Sequence, residues 1–281
     1  MTIAKPTGQP ASIQHRASLS VAIIARDEER HIGQALASVA DLATEIVTLV
    51  TESTRDRTAS ICRSYGAALY IEPWRGFPAQ RNRALALCNN DWVLFLDADE
   101  RVPPTLADEI RTLLATDHGA PLQSQTNSRP IAGYWIPRYN QFFGKILHGG
   151  GWYPDHQLRL LRRGYAHFDE SRLVHEFAQL DGEAEYVHEH LLHLNIEHAD
   201  ELWFKQRSYA IQEAHVLYRE GRRARLRNLV GAPLREFRRR YFGLGGYKDG
   251  SLGLFLCATM AYFEFVKYIH LMGLALLRRP T

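Results

Sequence analysis

Two aspartates separated by one residue, Asp97 and Asp99, directly follow the apolar segment DWVLFL at residues 91–96. Two carboxylates at the end of a buried strand repel each other unless a cation lies nearby. Oxygen ligands favour Mg²⁺ or Mn²⁺, and magnesium commonly takes one or two carboxylates together with substrate phosphates. This D-x-D pattern therefore indicates a metal that bridges to a diphosphate. The simpler alternative is a strand-to-helix turn in which Asp99 caps the next helix.

Strands and helices alternate four times over the first 115 residues. Apolar, β-branched runs predict strands at 19–25, 45–50, 68–71 and 91–96. The second, third and fourth helices are predicted at 57–65, 77–87 and 104–115. The alternation is typical of a doubly wound α/β sheet, in which ligands bind at the carboxyl ends of the strands. Candidate binding residues therefore follow the strands: Asp27, the turn 51–56, and the segment 97–100.

The first helix is predicted from Ile32, Leu36 and Val39, which have helical spacing. Its first turn is expected to contain the acidic residues 27–29, where the helix dipole favours negative charge.

The composition is that of a folded globular protein, because 46% of the 281 residues are hydrophobic and 23% are charged. Three widely spaced cysteines, Cys62, Cys88 and Cys257, form no disulfide framework and favour a reducing compartment. Residues 1–17 are polar without an apolar core, so we expect a disordered tail rather than a secretory signal.

Positive charge is concentrated between Arg219 and Arg240. This segment holds nine arginines against Glu220 and Glu236, a net charge of +7, while the whole chain carries only +3. The asymmetry predicts either an anionic partner or a solvated helix face. No nucleic-acid-binding motif accompanies the arginines, so anionic lipid is the favoured partner.

The apolar segment 252–277 has helical spacing but contains Glu264, Lys267 and His270. Charges in the middle of a bilayer-spanning helix are costly, so this segment is a poor span. We expect a helix that lies on a membrane or packs on the domain.

Several ordered motifs carry a resemblance to a known family. LSVAIIARDEERHIGQALASV, STRDRT, GFPAQRNRAL and DWVLFLDADERV resemble the nucleotide-binding half of family 2 inverting glycosyltransferases, which have the GT-A fold. YWIPRYNQFFGKILHGGGWYPDHQLRLLRRG, LVHEF, LLHL and YKDGSLGL resemble a bacterial subgroup that includes lipopolysaccharide inner-core β-glucosyltransferases. The resemblance covers roughly residues 19–270. It implies an α/β, Rossmann-like nucleotide-sugar-binding sheet with a helical C-terminal extension.

The implied domain organisation has three parts. A tail at 1–17 precedes a GT-A domain at 18–199, which is divided into a donor half at 18–115 and an acceptor half at 132–199. A helical, membrane-associating region follows at 200–281.

The resemblance also implies roles for individual residues. Asp99 binds the metal directly, and Asp97 contacts the donor ribose or the metal shell. Arg81 faces the donor and is suited to bidentate bonds with phosphate. The remaining implied donor-binding residues are Ala25, Asp27, Thr51, Ser53 and Gln80.

Two positions depart from the family pattern. The family usually has Asn at position 27 and Asp at position 51, where this chain has Asp27 and Thr51. The second change removes an acceptor for the imide N–H of the nucleobase, and Thr51 or Glu52 is the substitute.

An inverting transferase also needs a base that deprotonates the acceptor hydroxyl. Asp155 matches the second acid of the family's E-D pair, with Pro154 in place of the first, and Glu176 in LVHEF is the rival. Trp152 and Tyr153 are equally suited to stack on a sugar or to lie in the core. The histidines 188, 190, 193 and 198 fit no common structural zinc pattern.

Together these features predict a glycosyltransferase that uses Mg²⁺ or Mn²⁺. The expected donor is UDP-glucose and the expected acceptor is a lipopolysaccharide core or another lipid-linked glycan. The enzyme is expected in the cytoplasm, peripheral to the cytoplasmic face of the inner membrane. One alternative is transfer to a polyprenyl phosphate, and another is a catalytically silent, membrane-associated glycan-binding or scaffold protein.

Overall fold

A computed structural model describes residues 17–117, 129–171 and 177–277. The chain forms two compact units. The first contains residues up to Ala98, Pro104–Tyr134 and Leu158–Glu185, and the second contains Asp99–Pro103, Trp135–Gln157 and the residues from Tyr186 onward.

The described residues form twelve strands, seven α-helices and two short helical turns. The strands are β1 Leu19–Ala25, β2 Glu45–Thr51, β3 Ala68–Glu72, β4 Trp92–Phe95, β5 Glu100–Arg101, β6 Ile131–Phe142, β7 Lys145–Ile146, β8 His156–Arg162, β9 Ala166–Phe168, β10 Ala178–Leu180, β11 Glu183–Tyr186 and β12 Leu191–Ile196. The helices are α1 Ile32–Val39, α2 Thr58–Ser64, α3 Phe77–Leu87, α4 Pro104–Thr116, α5 Ala199–Arg219, α6 Leu226–Arg238 and α7 Gly250–Leu277. A π-helical turn at Arg239–Gly243 and a 3₁₀ turn at Gly246–Asp249 connect α6 to α7.

The first unit is built on parallel strands in the order β3-β2-β1-β4, and β8 pairs antiparallel with β4. Strands of this sheet are apolar because both faces are covered. Val47, Leu49, Phe95 and Leu161 are buried in one core cluster with residues of α3. The carboxyl ends of β1, β2 and β4 therefore lie along one edge of the sheet, as the alternation of elements predicts.

One local prediction is wrong. Helix α1 begins at Ile32 and has no acidic residue in its first turn. Asp27, at the start of the acidic run 27–29, instead has φ 54°, in the left-handed region, which cannot continue a right-handed helix. The acidic run is thus part of the loop between β1 and α1.

In the second unit, strand register sets the neighbours of each polar side chain. Strand β12 runs parallel to β6 and antiparallel to β5. In this register His193 lies opposite Asn140 on β6 and opposite Glu100 on β5. Three polar residues that are distant in sequence are therefore adjacent in one small sheet.

Helix α7 packs against both α5 and α6. The helical stretch Gly246–Leu276 is long and apolar enough to cross a membrane by length and composition alone. Within this stretch Lys267 forms salt bridges with Glu264 and, at 3.0 Å, with Glu213 of α5. Pairing within the helical region explains how two charges are accommodated in an otherwise apolar helix.

Candidate active site

Two loops at the sheet edge of the first unit are joined by hydrogen bonds. Asp27 Oδ1 accepts from the backbone N–H of Arg55 at 2.8 Å, and Thr58 Oγ1 accepts from the backbone N–H of Glu28 at 2.8 Å. These bonds tie the segment after β1 to the segment after β2. The two loops therefore present one continuous polar surface at the ends of the strands.

The left-handed conformation of Asp27 limits which residues fit there. Among residues with a Cβ, Asn and Asp adopt this region most readily, because their short polar side chains bond locally. The same backbone thus accommodates both Asp27 and the Asn that resembling sequences carry.

The turn that follows β2 contains hydroxyls without partners. Thr51 is buried at 1% exposure, and neither its Oγ1 nor that of Thr54 has a hydrogen-bond partner among the described residues. Buried polar atoms normally have partners, and leaving one unpaired is costly. Ser53, between them, is exposed, while Ala25 at the end of β1 is buried. The turn thus offers polar atoms that a polar ligand can satisfy.

Two guanidinium groups surround the Asp97 carboxylate. Arg159 Nη1 lies 3.3 Å from Oδ1 and its Nη2 makes a closer contact with Oδ2. Arg81 Nη2 lies 3.5 Å from Oδ1. Arg81 also lies over the ring of Phe95, 5.5 Å from its centroid. The protein itself therefore supplies positive charge next to Asp97.

Gln80 is buried like Ala25 and Thr51, but its side chain has a hydrogen-bond partner within the protein. Its side chain is buried, with 1% of the residue exposed, and its Nε2 donates to the carbonyl of Pro73 at 3.2 Å. It supports the segment before α3 from inside the unit.

In the second unit, Asn140 connects four polar groups. Its Nδ2 donates to the carbonyl of Trp152 at 2.7 Å and to Asp155 Oδ2 at 3.0 Å. Both partners only accept hydrogen bonds, so the orientation of the amide is fixed. Its Oδ1 faces His193 Nδ1 at 2.6 Å and accepts from Asn195 Nδ2 at 3.2 Å.

This orientation determines the tautomer of His193. Because Asn140 Oδ1 can only accept, His193 Nδ1 carries the proton. The other ring nitrogen, Nε2, lies 3.3 Å from Asp99 Oδ2. An imidazole nitrogen and a carboxylate oxygen are both ligand types that divalent metal ions accept. Asp99 and His193 thus fit two ligands of a divalent metal ion.

Asp155 is held by donors on both oxygens. Arg138 donates to Oδ2 through Nε at 3.0 Å and Nη2 at 2.7 Å, and Gln157 Nε2 donates to Oδ1 at 2.7 Å. Burial alone raises the pKa of this carboxyl, but the charge of Arg138 and the bonds from Asn140, Gln157 and Arg138 outweigh it. The pKa of Asp155 therefore lies below its ordinary value. The group is ionised at neutral pH, with Oδ1 the less occupied oxygen.

Arg138 also holds a second carboxylate. Its Nη1 donates to Glu100 Oε1 at 2.8 Å, and the Glu100 side chain has no exposed surface. One guanidinium thus compensates a buried acid, Glu100, and a partly buried one, Asp155, and fixes the position of Asp155.

The loop that leads to Asp155 is held by the segment between α6 and α7. Asp249 accepts from the backbone N–H groups of His148 at 2.7 Å and Gly149 at 3.0 Å. Arg240 Nη1 donates to the carbonyl of Gly150 at 2.8 Å, and the N–H of Gly150 donates to the carbonyl of Leu244 at 2.8 Å. The loop conformation therefore depends on residues 240–249, which include part of the YKDG motif.

The aromatic residues of this loop have different surroundings. Trp152 packs against Phe142 in an apolar cluster and lies beneath Arg240. Tyr153 donates to or accepts from His190 Nε2 at 3.2 Å, and its ring stacks on that of Tyr139. Trp152 is thus a core residue, while Tyr153 belongs to a half-buried aromatic group on the Asp155 loop.

Comparison with known proteins identifies the family. The sequence model of Glycosyl transferase family 2 matches residues 20–167, which is more than half of the chain. This chain belongs to the family 2 glycosyltransferases. Its α/β fold is the GT-A fold of that family, and the protein is an enzyme of the glycosyltransferase class.

Relatives of this glycosyltransferase include a protein named for lipopolysaccharide core biosynthesis. It is 32% identical over 259 residues to the lipopolysaccharide core biosynthesis glycosyltransferase LpsC of Rhizobium meliloti (strain 1021), covering 88% of this chain and 89% of that protein. It is 38% identical over 100 residues to an uncharacterized glycosyltransferase of Rickettsia bellii (strain RML369-C), covering 36% of this chain and 34% of that protein. Among solved structures, S. aureus TarS 1-349 matches 69% of this chain and 64% of its own, with 15% identity and a TM-score of 0.44.

The predicted site residues of the glycosyltransferase fall into three groups. In the first unit, Ala25 and Thr51 end β1 and β2, Asp27, Ser53 and Asp97 follow strand ends, and Gln80 and Arg81 lie on α3. Asp99 and Asp155 are linked through Asn140 and His193 in the second unit. Glu176, the rival base, lies outside the described residues. No group of three or more His, Cys, Asp or Glu that could hold a metal ion occurs within the described ranges.

Four residues of the site were missed by sequence reasoning: Arg138, Asn140, Arg159 and His193. Arg138 and Asn140 are two residues apart on β6, so they share one face of the strand. This spacing of two polar residues can be recognised in the sequence. In the sequence, His193 is one of four histidines that fit no common structural zinc pattern. Its partner Asp99 is 94 residues away, and only the strand register brings the two together.

Proposed function

We propose that this enzyme transfers glucose from UDP-glucose to a lipopolysaccharide core or another lipid-linked glycan, with inversion at the anomeric carbon and with Mg²⁺ or Mn²⁺. The observation that carries the proposal is the hydrogen-bonded chain Asp155–Asn140–His193–Asp99. It links a base for the acceptor to a ligand for the metal. The acceptor class is supported by the similarity to LpsC, which is named for lipopolysaccharide core biosynthesis.

The metal would be held by Asp99 Oδ2 and His193 Nε2, with donor phosphates and water completing its coordination. A bound cation offsets the negative charge that develops on the leaving diphosphate. Asn140 orients the imidazole by accepting the Nδ1 proton, which is the usual role of a residue behind a metal-binding histidine.

Asp155 would act as the base. Its Oδ2 is engaged by Arg138 and Asn140, so Oδ1 takes the proton of the acceptor hydroxyl. The acceptor oxygen forms a bond to the anomeric carbon while the bond from that carbon to the diphosphate oxygen breaks. The leaving UDP keeps the electron pair, and the configuration at the anomeric carbon inverts. No covalent sugar–enzyme intermediate is required.

The nucleoside end of the donor would bind at the sheet edge of the first unit. Ala25, Asp27 and Ser53 would line the base and ribose. Thr51 Oγ1 has no other hydrogen-bond partner in the described part of the chain, which supports a contact with the base edge in place of the family's Asp. Asp97 would contact the ribose, and Arg81 would face the diphosphate from beside it. Gln80 would support this surface from within the core.

A lipid-linked acceptor places the reaction at a membrane surface. We propose that the enzyme is cytoplasmic and attaches peripherally to the inner membrane through its helical region, residues 200–281. The concentration of arginines between 219 and 240 supports attachment to anionic lipid.

The test of the proposed function is a panel of nucleotide sugars, offered with Mg²⁺, Mn²⁺ or EDTA to wild type, Asp99→Ala, Asp155→Asn and Glu176→Gln. Metal-dependent turnover of UDP-glucose, lost in Asp99→Ala and in Asp155→Asn but kept in Glu176→Gln, is the expected result. Loss in Glu176→Gln with retention in Asp155→Asn assigns the base to Glu176.

Acceptor arms of the same assay separate the alternatives. Transfer to a polyprenyl phosphate alone, without transfer to a lipopolysaccharide core, replaces the proposed acceptor. Absence of binding and turnover for every donor and metal contradicts the enzymatic proposal and favours a glycan-binding or scaffold role.

A further inference from the structure

Helix α6 exposes an apolar stripe, the reverse of the usual pattern for a surface helix. Leu226, Val230 and Leu234 are four residues apart and share one face. Their exposed fractions are 74%, 65% and 63%. Ala232 is buried, about half a turn away from the centre of the stripe, and α6 packs against α7. The inward face of α6 therefore has its partner, while the outward apolar face has none within the described residues.

Three arginines lie along one edge of this stripe. Arg227, Arg235 and Arg238 fall beside Leu234 on a helix with 3.6 residues per turn. All three are exposed, and none of them forms an ion pair or a side-chain hydrogen bond with another residue in the ranges that the structure describes. In contrast, Arg239 and Arg240 pair with Glu236 at 2.7 and 2.5 Å. Three unpaired positive charges of the segment 219–240 thus lie next to the apolar stripe.

We propose that α6 is a membrane-docking helix that lies flat on an anionic lipid surface. The stripe Leu226, Val230 and Leu234 inserts at the boundary between headgroups and acyl chains, and the three arginines contact lipid phosphates. Helices with an apolar face bordered by basic residues bind membranes in this way. This inference refines the membrane attachment within the proposed function and rests on it.

Other occupants fit this surface less well. A second copy of the chain would bring its own arginines close to Arg227 and Arg238, so like charges would repel. A nucleic acid would match the arginines but leave the leucines uncovered, because such interfaces are polar. An anionic lipid surface satisfies both the charge and the apolar stripe.

Docking of α6 would also affect the loop before Asp155, because the segment that follows α6 contacts that loop. The segment that follows α6 holds the loop 148–152 through Arg240, Leu244 and Asp249. Asp155 lies directly beyond this loop. A docked α6 therefore ties the loop before Asp155 to the lipid surface that carries the acceptor.

The test is sedimentation of the full-length protein with vesicles of phosphatidylglycerol or of phosphatidylcholine, without donor or acceptor. One variant, Leu226→Gln/Leu234→Gln, removes the stripe, and a second, Arg227→Gln/Arg238→Gln, removes charge. Arg63→Gln/Arg129→Gln is the control for net charge, because both of its arginines are exposed in the first unit. Donor hydrolysis in solution and sedimentation velocity are measured on every protein.

Wild type should bind phosphatidylglycerol vesicles and only weakly those of phosphatidylcholine. The charge variant should bind about thirtyfold more weakly, from roughly a fivefold loss for each arginine, and the stripe variant at least about tenfold more weakly. The control should bind like wild type, and all variants should keep wild-type donor hydrolysis.

Three results would overturn the proposal. Wild type that does not distinguish the two lipids contradicts the anionic surface. Undiminished vesicle binding by both α6 variants assigns attachment to another face, such as the exposed side of α7. A change in oligomeric state of the stripe variant without a change in vesicle binding makes the stripe a protein interface. Because vesicle binding is measured without donor, a failure of the transferase assay leaves this result interpretable.

Discussion

Asp155 and His193 are connected by a single side chain: Asn140 donates to Asp155 Oδ2 at 3.0 Å and accepts from His193 Nδ1 at 2.6 Å. The amide can make both bonds because one of its ends donates and the other accepts. It therefore fixes the proton on His193 Nδ1 and leaves Nε2 directed at Asp99, 3.3 Å away. The candidate base and the candidate metal ligands form one hydrogen-bonded group.

Asn140→Ala should lower kcat about ten- to a hundredfold, because residues behind metal ligands contribute on that scale. The side chain is buried, so the folded fraction is checked by circular dichroism. Asn140→Asp should lower kcat at least as much, since it places a carboxylate against Asp155. Asn228→Ala on α6 is the control and should keep wild-type kcat. Wild-type kcat in Asn140→Ala would show that the amide only fills space.

His193→Ala should weaken metal binding about ten- to a hundredfold while leaving donor binding in excess metal nearly unchanged. The reason is that Nε2 is one of two proposed protein ligands. The measurement is the metal concentration for half-maximal rate with Mn²⁺ and with Mg²⁺. Mn²⁺ should lose more than Mg²⁺, because nitrogen ligands favour the softer ion. His188→Ala, which changes a nearby exposed histidine, should behave like wild type.

Asp155→Asn should change the pH dependence of stability. The folded protein depresses the pKa of Asp155, so the ionised group contributes stability above the unfolded pKa of about 3.9. This contribution is lost as pH falls through the lower folded pKa. Urea unfolding should therefore show a constant stability difference between wild type and variant above about pH 5, which shrinks below about pH 4. A difference that grows on acidification would contradict the assigned direction.

Arg138→Leu should destabilise the fold by about 3–5 kcal/mol, because it leaves the buried carboxylate of Glu100 and the partly buried one of Asp155 without their guanidinium. Arg111→Leu is the matched control. It removes an ion pair with Asp108 in which both side chains are largely exposed, so its cost should be no more than about 1 kcal/mol. Urea denaturation at neutral pH measures both. Equal losses in the two variants would show that Arg138 is not the compensating charge.

Asp249→Ala should raise KM for the acceptor and lower kcat about ten- to a hundredfold, since it frees the backbone of His148 and Gly149 before Asp155. KM for the donor and the metal requirement should stay near wild type. Asp41→Ala, at an exposed position of the first unit, is the control. An increase in donor KM alone would place Asp249 in a different role.

Local patterns predicted the donor half of the fold well. The apolar run 19–25 and the helical spacing at 77–87 have the bounds that the structure shows. These elements follow from residues that are neighbours in sequence. The predicted first turn of α1 is wrong because Asp27 has a left-handed backbone and lies in a loop. That loop is bonded to Arg55, 28 residues away, which no local pattern shows.

The site was only partly predictable for the same reason. Asp99 and Asp155 stand in recognisable motifs, so sequence alone singled them out. Arg138, Asn140 and His193 acquire their roles from the register of β6, β12 and β5, which no local pattern specifies. The pairing of Lys267 with Glu213 likewise depends on how α5 packs against α7.

The most direct test of the central claim is transfer of glucose from UDP-glucose to a lipopolysaccharide core acceptor by Asp155→Asn, compared with wild type and Asp99→Ala. Asp155→Asn should bind donor and metal like wild type but lose transfer by at least about a hundredfold, as expected for removal of a general base. Asp99→Ala should lose both metal binding and transfer. Wild-type transfer by Asp155→Asn would contradict the assignment of the base and the linked site built on it.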